Sequence, residues 1–456
     1  MRYYLIGIKG VGMTALAQIL KSNGHFVTGS DGKEKFFTDQ ILRDLKIDFK
    51  ESFNAKNLDN SYDFVVKSSA YDESNPEVKK AYDLGLIVLD YPEALGEISK
   101  EYFSIAVSGT HGKTTQTAML SQILIDLKLD PQCIVGSAVP KFHNRNARTQ
   151  IKKNPLFVAE VCEYKRNFLN FCPSAVLIPS LDYDHIDYYK TPEDYINAFV
   201  EFSDKLPKNG KIIVCGDLVP DKFLKNVRKD IQIETYGFDK SNDYVITKPV
   251  IKDEMLLSTF DSNEVLSLKI PGSHNILNAY GALLMAKYIA SILKKKFDLE
   301  KALKSLLNFK NTKRRFERKG ILNKALLFDD YAHHPAEIET TLKAAKAFYP
   351  TRKITVIFQS HTFSRTEEFR TDFAKSLKNA DLVILAPIYG SAREKQSSYT
   401  SENFFSDILK ENKSAVYLKD MKEIAKLIKK TASKEDLIIT MGAGDIFQVH
   451  DLLKKS

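Results

Sequence analysis

A short glycine-rich segment, Ser108–Thr115, constrains what this chain can fold into more than any other feature of the sequence. Its residues, SGTHGKTT, follow the apolar run FSIAV and precede QTAMLSQIL, which has the composition of a helix. Strand, glycine-rich turn and helix in this order are typical of a phosphate-binding loop, whose backbone N–H groups and helix N-terminus bind phosphate oxygens. Lys113 would reach the terminal phosphates, and the Thr114 hydroxyl would bind Mg²⁺. The usual loop has a glycine at the place of Val107, so this loop is a compact variant.

Strand and helix patterns alternate along the chain and begin anew at two places. YYLIGI, HFVTGSD and LIVLDY are typical of short strands, and the apolar spacing of GMTALAQILKSNG predicts a helix that ends at Gly24. The alternation predicts parallel sheets covered by helices. It begins anew near Tyr102 and after Phe309, and 456 residues suffice for two to four domains. We therefore predict an α/β protein with a Rossmann-like domain over 1–101, a central P-loop ATPase-type domain over 102–309 and a Rossmann-like domain over 310–456.

Composition excludes several classes of protein. Hydrophobic residues make up 43% and charged residues 27% of the chain, as in ordinary globular proteins. No run approaches the roughly 18 apolar residues that span a bilayer, and the N-terminal MRYYLIGIKG has no signal-peptide pattern. We therefore expect a cytoplasmic protein without membrane insertion. The four cysteines form no C-x-x-C pair, which argues against a disulfide framework or a zinc site.

The charge balance favours anionic small molecules over nucleic acid as partners. The chain has 67 Lys and Arg against 58 Asp and Glu, a formal net charge of +9. Most lysines are spread over helical faces, as in LKKKFDLEKALKSL, and no basic stripe with interleaved aromatic residues is present. We expect no nucleic-acid partner, while a positive surface suits nucleotide substrates. The sequence leaves open whether the protein is a monomer or a weak homodimer.

Several segments, in order and across almost the whole chain, resemble the Mur ligases. These are the ATP-dependent enzymes that form amide bonds in bacterial peptidoglycan precursor synthesis. The matching segments are Gly109–Thr115 (GTHGKTT), Glu160–Glu163 (EVCE), Asp184–His185 (DH), Pro271–Ala279 (PGSHNILNA) and Arg314–Phe316 (RRF). The resemblance implies a three-domain ligase that uses ATP and Mg²⁺.

Three further segments point to the members of this family that add L-alanine to UDP-N-acetylmuramate. They are the N-terminal GIKGVGMTALA, Asp329–Pro335 (DDYAHHP) and Phe358–Thr366 (FQSHTFSRT). The implied reaction activates the lactyl carboxylate of the sugar nucleotide as an acyl phosphate, joins it to L-alanine and releases ADP and phosphate. Two alternatives remain open: a sister ligase that adds a recycled tripeptide to the same sugar nucleotide, and a nucleotide-binding module without catalysis.

The resemblance also implies roles for individual residues. The implied catalytic residues are Lys113, Arg315, His333 and Arg365. The implied nucleotide-binding residues are Gly109, Thr110, His111, Gly112, Lys113, Thr114, Thr115, His274, Asn275, Asn278 and Arg314. The implied Mg²⁺ ligands are Thr114, Glu160 and His185. The implied substrate-binding residues are Gly7, Gly10, Gly12, Asp31, Ser68, Ser69, Tyr331, His334 and His361.

The chemistry of the implied reaction explains why it needs these residue types. A carboxylate has no leaving group, so phosphorylation must precede attack by an amine, and fixed cations must offset the negative charge that develops. Mg²⁺ prefers oxygen ligands, which suits Thr114 and Glu160, whereas the metal role of His185 rests on the resemblance. His333 or His334 can assist deprotonation of the amine, because imidazole titrates near neutral pH, or one of them can pack or cap a helix.

The sequence departs from the family pattern at four positions near the implied sites. Lys9 replaces a glycine of the N-terminal segment, which changes how closely the backbone approaches a diphosphate or adds a charge contact. Cys162 and Ser180 stand where alanine-adding members carry aspartate and asparagine, and Asp182 stands for a glutamate. These last changes flank the implied metal site.

The N-terminal glycines also suggest a different enzyme class. Gly7, Gly10 and Gly12 follow a strand and precede a helix, and Asp31 ends the next strand, which approximates the fingerprint of a nicotinamide-dependent dehydrogenase. The middle glycine of that fingerprint is missing here, since Lys9 takes its place. A dehydrogenase would also leave the phosphate-binding loop unexplained.

Overall fold

A computed structural model describes residues 1–150, 155–260, 263–390 and 398–454. The chain divides into two compact units. The first comprises Met1–Lys248, Ser258–Leu266 and His274–Phe309, and the second comprises Pro249–Leu257, Ser267–Ser273 and Lys310–Ser456. Both units combine parallel sheets with helices, which confirms the predicted α/β class. The first unit takes in both the predicted N-terminal domain and most of the predicted central one, whose boundaries stay predictions.

The N-terminal part of the first unit is a five-stranded parallel sheet. Its strands are β1 (Arg2–Ile6), β2 (Phe26–Ser30), β3 (Phe49–Lys50), β4 (Phe64–Lys67) and β5 (Ile87–Asp90). Its helices are α1 (Val11–Ser22), α2 (Phe37–Asp44), α3 (Pro76–Asp83) and α4 (Tyr91–Ser99), with a 3₁₀ turn at Ala55–Asn57. The strand order is β3-β2-β1-β4-β5, so β1 is central and its carboxyl end leads directly into the loop before α1. Ligands of such open sheets bind at this edge.

The larger sheet of the first unit carries the phosphate-binding loop. Its strands are β6 (Phe103–Val107), β7 (Gln132–Val139), β8 (Arg145–Arg148), β9 (Leu156–Glu160), β10 (Ala175–Ile178), β11 (Lys211–Cys215), β12 (Gln232–Gly237) and β13 (Tyr244–Val245). Their order among the described residues is β13-β12-β11-β10-β6-β9-β7-β8, parallel except for the β7–β8 pair. Its helices are α5 (Lys113–Asp126), α6 (Pro192–Ser203), α7 (Asp221–Asn226), α8 (Ser273–Ile292) and α9 (Leu299–Leu307), with 3₁₀ segments at Pro140–Phe142 and Tyr164–Asn170.

Burial explains why the central strands of this sheet are continuously apolar. All four residues of β10, AVLI, are buried, as are four of five in β6. A parallel sheet covered by helices on both faces buries both sides of each strand, so polar alternation is lost. The neighbouring strands β6, β9 and β10 end together, which brings the residues after them to one edge.

Three short strands form a small separate sheet. They are β14 (Val250–Lys252), β15 (Met255–Phe260) and β16 (Glu264–Leu268), in the order β14-β15-β16. Buried and partly buried residues alternate along β15, as expected for a strand with one face directed to the core.

The second unit is built on a six-stranded sheet of described residues. Its strands are β17 (Glu317–Leu322), β18 (Ala325–Asp330), β19 (Lys353–Phe358), β20 (Leu382–Leu385), β21 (Val416–Tyr417) and β22 (Asp436–Met441), in the order β17-β18-β22-β19-β20-β21. Only β17 pairs in the antiparallel sense among the pairs described. Its helices are α10 (Pro335–Phe348), α11 (Phe363–Glu368), α12 (Arg370–Leu377), α13 (Ser401–Glu411), α14 (Met421–Thr431) and α15 (Val449–Lys454), with a 3₁₀ turn at Ile446–Gln448. In the portion of the chain described by the structure, no helix is long and apolar enough to cross a membrane.

Candidate functional site

The phosphate-binding loop joins β6 to α5, as the sequence predicts. Gly112 is the residue before α5 and has φ 83°, a left-handed conformation that glycine adopts without strain. A side chain there would also collide with Asn278, because a Cβ atom would lie 2.6 Å from its Oδ1. Gly109 has φ 143°, and a Cβ atom on it would lie 2.5 Å from the Ser180 carbonyl oxygen. Both glycines are therefore needed for the loop to take this path.

Ser180, one of the departures from the family pattern, holds the loop in place. Its hydroxyl accepts the His111 N–H at 2.9 Å, and its carbonyl oxygen accepts the Thr110 N–H at 3.0 Å. Serine thus supplies a side-chain acceptor to the loop. His111 is exposed, whereas Thr110 and Thr115 are buried.

The ammonium group of Lys113 is bound inside the loop. It donates to the carbonyl oxygens of Gly109 and Thr110, and to Glu163 Oε1 at 2.9 Å. Burial alone would lower the pKa of Lys113, but the carboxylate of Glu163 outweighs it and raises the pKa above its ordinary value. Lys113 is therefore a fixed positive charge at the place where the loop would bind phosphates.

Thr114 and Glu160 form the second pair at the loop. The Thr114 hydroxyl donates to Glu160 Oε1 at 2.8 Å, and Glu160 Oε2 accepts the Gly136 N–H at 2.6 Å. Hydroxyl and carboxylate oxygens are donors that Mg²⁺ prefers, and a Mg²⁺ that accompanies a nucleotide needs only one or two protein ligands. The pair fits such a role. In the described portion of the chain, no group of three or more His, Cys, Asp or Glu side chains could hold a metal by itself.

His185 lies beside Glu163. Its Nε2 is 3.5 Å from Glu163 Oε1, and its backbone has φ 54°. A hydrogen bond to Glu163 raises the pKa of His185, although partial burial opposes this effect. Glu163 therefore contacts both Lys113 and His185. It is absent from the predicted site residues, although the EVCE segment that contains it is a recognised signal.

The asparagines of the predicted nucleotide-binding segment lie at the start of α8. Asn275 and Asn278 are buried and contact each other, with Asn278 Nδ2 3.5 Å from Asn275 Oδ1. Asn278 also lies against Gly112, as described above, and its carbonyl oxygen accepts a hydrogen bond from Gln116. His274 is exposed. The structure thus brings Asn278 to the phosphate-binding loop.

The N-terminal site residues gather at the carboxyl ends of β1, β2 and β4. The predicted residues at this edge are Gly7, Gly10, Gly12, Asp31, Ser68 and Ser69. Asp31 is buried, and its two carboxylate oxygens accept the backbone N–H groups of Lys9 and Gly32 at 2.7 and 2.8 Å. In the structure Asp31 therefore shapes the loop before α1, and its contact with substrate stays a prediction.

Lys9 is directed into the protein. It is fully buried, and its ammonium donates to the carbonyl oxygens of Gly32 and Glu34, each at 2.9 Å, and to Glu51 Oε1 at 3.0 Å. It therefore ties the loop before α1 to the segment after β2. A direct charge contact from Lys9 to a diphosphate, one of the two effects expected from the sequence, finds no support in this arrangement.

In the second unit, Arg314 is enclosed by protein groups. Its guanidinium donates to Asp329 and to the carbonyl oxygens of Gly442, Ala443 and Gly444. It also lies over the rings of Tyr331 and Phe447, at 4.9 and 4.7 Å from their centroids. The side chain thus joins the start of β17 to the loop after β22. Its predicted contact with nucleotide stays a prediction, and its observed partners are internal.

The two histidines after β18 have different roles in the structure. His334 precedes α10 and caps it, since its Nδ1 accepts the Ala336 N–H at 3.4 Å. His333 Nδ1 lies 3.0 Å from the Tyr331 carbonyl oxygen. A carbonyl can only accept, so the neutral His333 ring carries its hydrogen on Nδ1 and keeps a free lone pair on Nε2. Loss of solvent lowers the pKa of His333, and Arg365 and Arg315 lower it further while Glu337 opposes them.

The charges of Arg315 and Arg365 both act on the pKa of His333 in the second unit. Arg365 lies in α11, and His361 precedes this helix with its ring stacked on Tyr389, 5.7 Å between centroids. A cavity of about 390 Å³ lies at the carboxyl ends of β19 and β20, and its lining includes Tyr389, Gln359, Lys419 and Asp445.

Comparison with known proteins agrees with this geometry. Three family models match successive parts of the chain: the Mur ligase family catalytic domain over 2–103, the Mur ligase middle domain over 107–286 and the Mur ligase glutamate ligase domain over 314–444. The chain is 40% identical over 460 residues to UDP-N-acetylmuramate–L-alanine ligase of Borreliella burgdorferi. This match covers 99% of this chain and 98% of that protein.

The chain belongs to the Mur ligase family. Among solved structures, a UDP-N-acetylmuramate-alanine ligase from Thermotoga maritima matches this Mur ligase with a TM-score of 0.84 and 27% identity. The match covers 99% of this chain and 98% of that one. A murein peptide ligase from Psychrobacter arcticus shares the fold, with a TM-score of 0.68 and 24% identity over 99% and 98% of the two chains. A dehydrogenase reading of the N-terminal glycines is therefore wrong, and the protein is an amide-bond-forming ligase of the ATP-dependent Mur type.

Proposed function

We propose that this Mur ligase joins L-alanine to the lactyl carboxylate of UDP-N-acetylmuramate, with ATP as the source of an acyl-phosphate intermediate. One observation carries the proposal. The loop that holds Lys113 also presents Thr114 to Glu160 and Lys113 to Glu163, on a chain whose full-length relative is an alanine-adding ligase. The products are ADP, phosphate and the alanyl sugar nucleotide. The reaction serves peptidoglycan precursor synthesis.

The first step transfers the terminal phosphoryl group of ATP to the sugar-nucleotide carboxylate. The backbone N–H groups of the loop bind the phosphates, and the ammonium of Lys113 offsets charge that builds up on the transferred group. Gly109, Thr110, His111, Gly112 and Thr115 shape this cradle, and His274, Asn275, Asn278 and Arg314 are the remaining proposed nucleotide-binding residues. Lys113 already has the right charge, because Glu163 keeps it protonated.

Mg²⁺ is a proposed cofactor of this step, held by Thr114 and Glu160. When bound with the nucleotide, it supplies positive charge to the phosphate oxygens. Both residues offer oxygen donors and lie 2.8 Å apart. We propose His185 as a third residue of the metal environment, although its observed partner is Glu163.

The second step is attack of the amine on the acyl phosphate. The amine must first lose a proton, and His333 suits this task because its Nε2 carries a lone pair and its pKa is lowered. Arg315 and Arg365, whose charges act on the pKa of His333, would stabilise the negative charge of the tetrahedral intermediate. Tyr331, His334 and His361 complete the proposed substrate contacts of the second unit.

The sugar nucleotide is proposed to bind at the edge of the N-terminal sheet. Gly7, Gly10 and Gly12 lie where the backbone can approach a diphosphate, and Ser68 and Ser69 follow β4 at the same edge. We assign UDP-sugar, ATP and amino-acid binding to 1–101, 102–309 and 310–456 respectively.

The tripeptide-adding alternative receives less support. A murein peptide ligase shares only the fold at 24% identity, whereas the alanine-adding relative is 40% identical over the whole chain. We further propose a cytoplasmic location, since the reaction consumes ATP. A monomer or weak homodimer is the proposed oligomeric state.

Phosphate release from ATP tests the proposed function. The assay contains UDP-N-acetylmuramate, Mg²⁺ and one candidate amine at a time: L-alanine, glycine, L-serine or the tripeptide. We expect release that depends on both the sugar nucleotide and L-alanine, and that disappears in Lys113→Ala. Release with the tripeptide alone would assign the protein to the recycling branch. ATP binding without release for any amine would leave a non-catalytic module.

A further inference from the structure

Two buried tyrosines, Tyr189 and Tyr195, lie against each other in the first unit and are called here the tyrosine pair. Both side chains are fully buried, and their rings meet edge to face with centroids 5.0 Å apart at 86°. Tyr195 belongs to α6, which begins after the cap residue Thr191. Tyr195 also contacts the Phe199 ring, 5.3 Å away, so the pair is part of a packed aromatic cluster.

The hydroxyl of Tyr195 binds the phosphate-binding loop. It lies 2.7 Å from Thr110 Oγ1, and the Thr110 hydroxyl also lies 2.6 Å from the carbonyl oxygen of Asp182. A carbonyl oxygen can only accept, so Thr110 donates its one hydroxyl hydrogen to Asp182. Tyr195 must therefore donate to Thr110. The carbonyl oxygen of Thr110 accepts a hydrogen bond from the Lys113 ammonium, so Tyr195 and Lys113 bind the same residue of the loop.

The hydroxyl of Tyr189 binds the backbone of Glu163, the partner of Lys113 in an ion pair. It donates to the backbone carbonyl oxygen of Glu163 at 2.5 Å. The backbone N–H of Tyr189 donates to the carbonyl oxygen of His185 at 2.9 Å. The Glu163 side chain in turn contacts Lys113 and His185. Tyr189 thus holds the two segments that bring Glu163 and His185 together.

We propose that the tyrosine pair positions Lys113 and Glu163 relative to each other for phosphoryl transfer. Tyr195 acts through Thr110 on the loop, and Tyr189 acts through the Glu163 backbone. The rings cannot approach further because they already touch, so the spacing between loop and glutamate is set by two phenol rings. This assignment rests on the proposed ATP-dependent function, and it goes beyond the residues assigned above.

Burial keeps both phenols in their donor form. Desolvation raises the pKa of Tyr189 and of Tyr195 well above the ordinary value of tyrosine. Both hydroxyls therefore remain protonated at neutral pH. A pH-dependent loss of loop position is not expected from the pair, and its contribution must be tested by removal of the hydroxyl oxygens.

Phenylalanine substitutions test the proposal, because they keep the packed rings and remove one hydroxyl each. We expect Tyr195→Phe to raise both the ATP dissociation constant and the KM for ATP about tenfold, the loss of one hydrogen bond. The KM values for the sugar nucleotide and the amine should stay unchanged. Tyr189→Phe should lower kcat about tenfold with a smaller effect on ATP binding. Tyr188→Phe is the matched control, since no described residue accepts a hydrogen bond from its hydroxyl, and its kinetics should equal those of the parent protein.

A double variant separates positioning from general loss of structure. If Tyr195 acts through Thr110, Tyr195→Phe in a Thr110→Val background should not raise the KM for ATP further. Lower melting temperatures with unchanged KM and kcat, or additive effects in the double variant, would overturn the proposal. Direct ATP titration measures the effect of Tyr195→Phe without turnover. A parent protein that binds ATP but releases no phosphate would therefore refute the proposed function, and the effect of Tyr195→Phe on ATP binding could still be measured.

Discussion

The ammonium of Lys113 lies 2.9 Å from the carboxylate of Glu163, 50 residues further along the chain. Glu163 is fully buried, and its pKa stays below the ordinary value because Lys113 offsets the effect of burial. Neither charge is stable here without the other, since an unpaired buried charge is costly. The pair therefore keeps the lysine of the loop charged without any bound nucleotide.

Neutralising Glu163 should change the pH range of activity. In Glu163→Gln only weaker neighbours would offset burial, so the pKa of Lys113 should fall and activity should be lost at alkaline pH where the parent protein retains it. We also expect kcat near neutral pH to fall about tenfold to hundredfold. The measurement is kcat from pH 6 to 10. Glu193→Gln, which removes one partner of an exposed ion pair, is the matched control and should behave like the parent protein.

Removal of the Thr114 hydroxyl should weaken the response to Mg²⁺. Thr114→Val loses the oxygen donor next to Glu160, whereas Thr114→Ser keeps it. We expect the Mg²⁺ concentration for half-maximal phosphate release to rise about tenfold in the valine variant, because one oxygen donor near the metal is lost. The serine variant should resemble the parent. Equal Mg²⁺ dependence in all three proteins would contradict the assignment.

His333 should produce an acidic limb in the pH profile. The neutral ring is the proposed base, and its pKa is below the ordinary value of about 6.5. Activity with L-alanine should therefore be full above that pH and decline as the pH falls through the lowered pKa. His333→Asn should remove the limb and reduce kcat by about 10²-fold or more. The matched His334→Asn variant, in which asparagine can still cap α10, should retain the limb.

His450 should make the fold sensitive to acid. Its ring is buried, Nε2 contacts Thr440 and Phe328, and burial lowers its pKa to about 4. The unfolded chain binds a proton at about pH 6.5, so stability is full above that pH and falls by ~3 kcal/mol as the pH drops towards 4. Asp330, whose pKa burial raises to about 6, acts in the opposite direction.

Comparison with a variant isolates the contribution of His450. His450→Gln keeps a polar side chain and removes the titration, so its melting temperature should fall less than that of the parent between pH 7 and pH 5. The readout is the difference between the two proteins at each pH, in which the contribution of Asp330 cancels. The same acid-induced fall in both proteins would show that His450 is not responsible.

The sequence by itself determined the elements whose signals are local. The strand, loop and helix around GTHGKTT and the α/β class follow from apolar spacing and from glycine positions. Backbone sterics and helix capping act over a few residues. The resemblance groups Thr114 with Glu160 as implied Mg²⁺ ligands, and the structure brings them together because β6 and β9 are neighbouring parallel strands. The resemblance supplied the family, which the comparisons confirm.

Only the tertiary structure decided how side chains far apart in sequence share their hydrogen bonds. Tyr189 and Tyr195 have no local signal for a site, and the EVCE segment that contains Glu163 does not show that its side chain reaches Lys113. All three reach the loop because the segment from 160 to 195 folds back against it. Lys9 and Arg314 illustrate the reverse, since their sequence context suggests ligands but their cations are directed to internal acceptors. A buried cation takes whatever acceptors the packing provides, and packing depends on the whole chain.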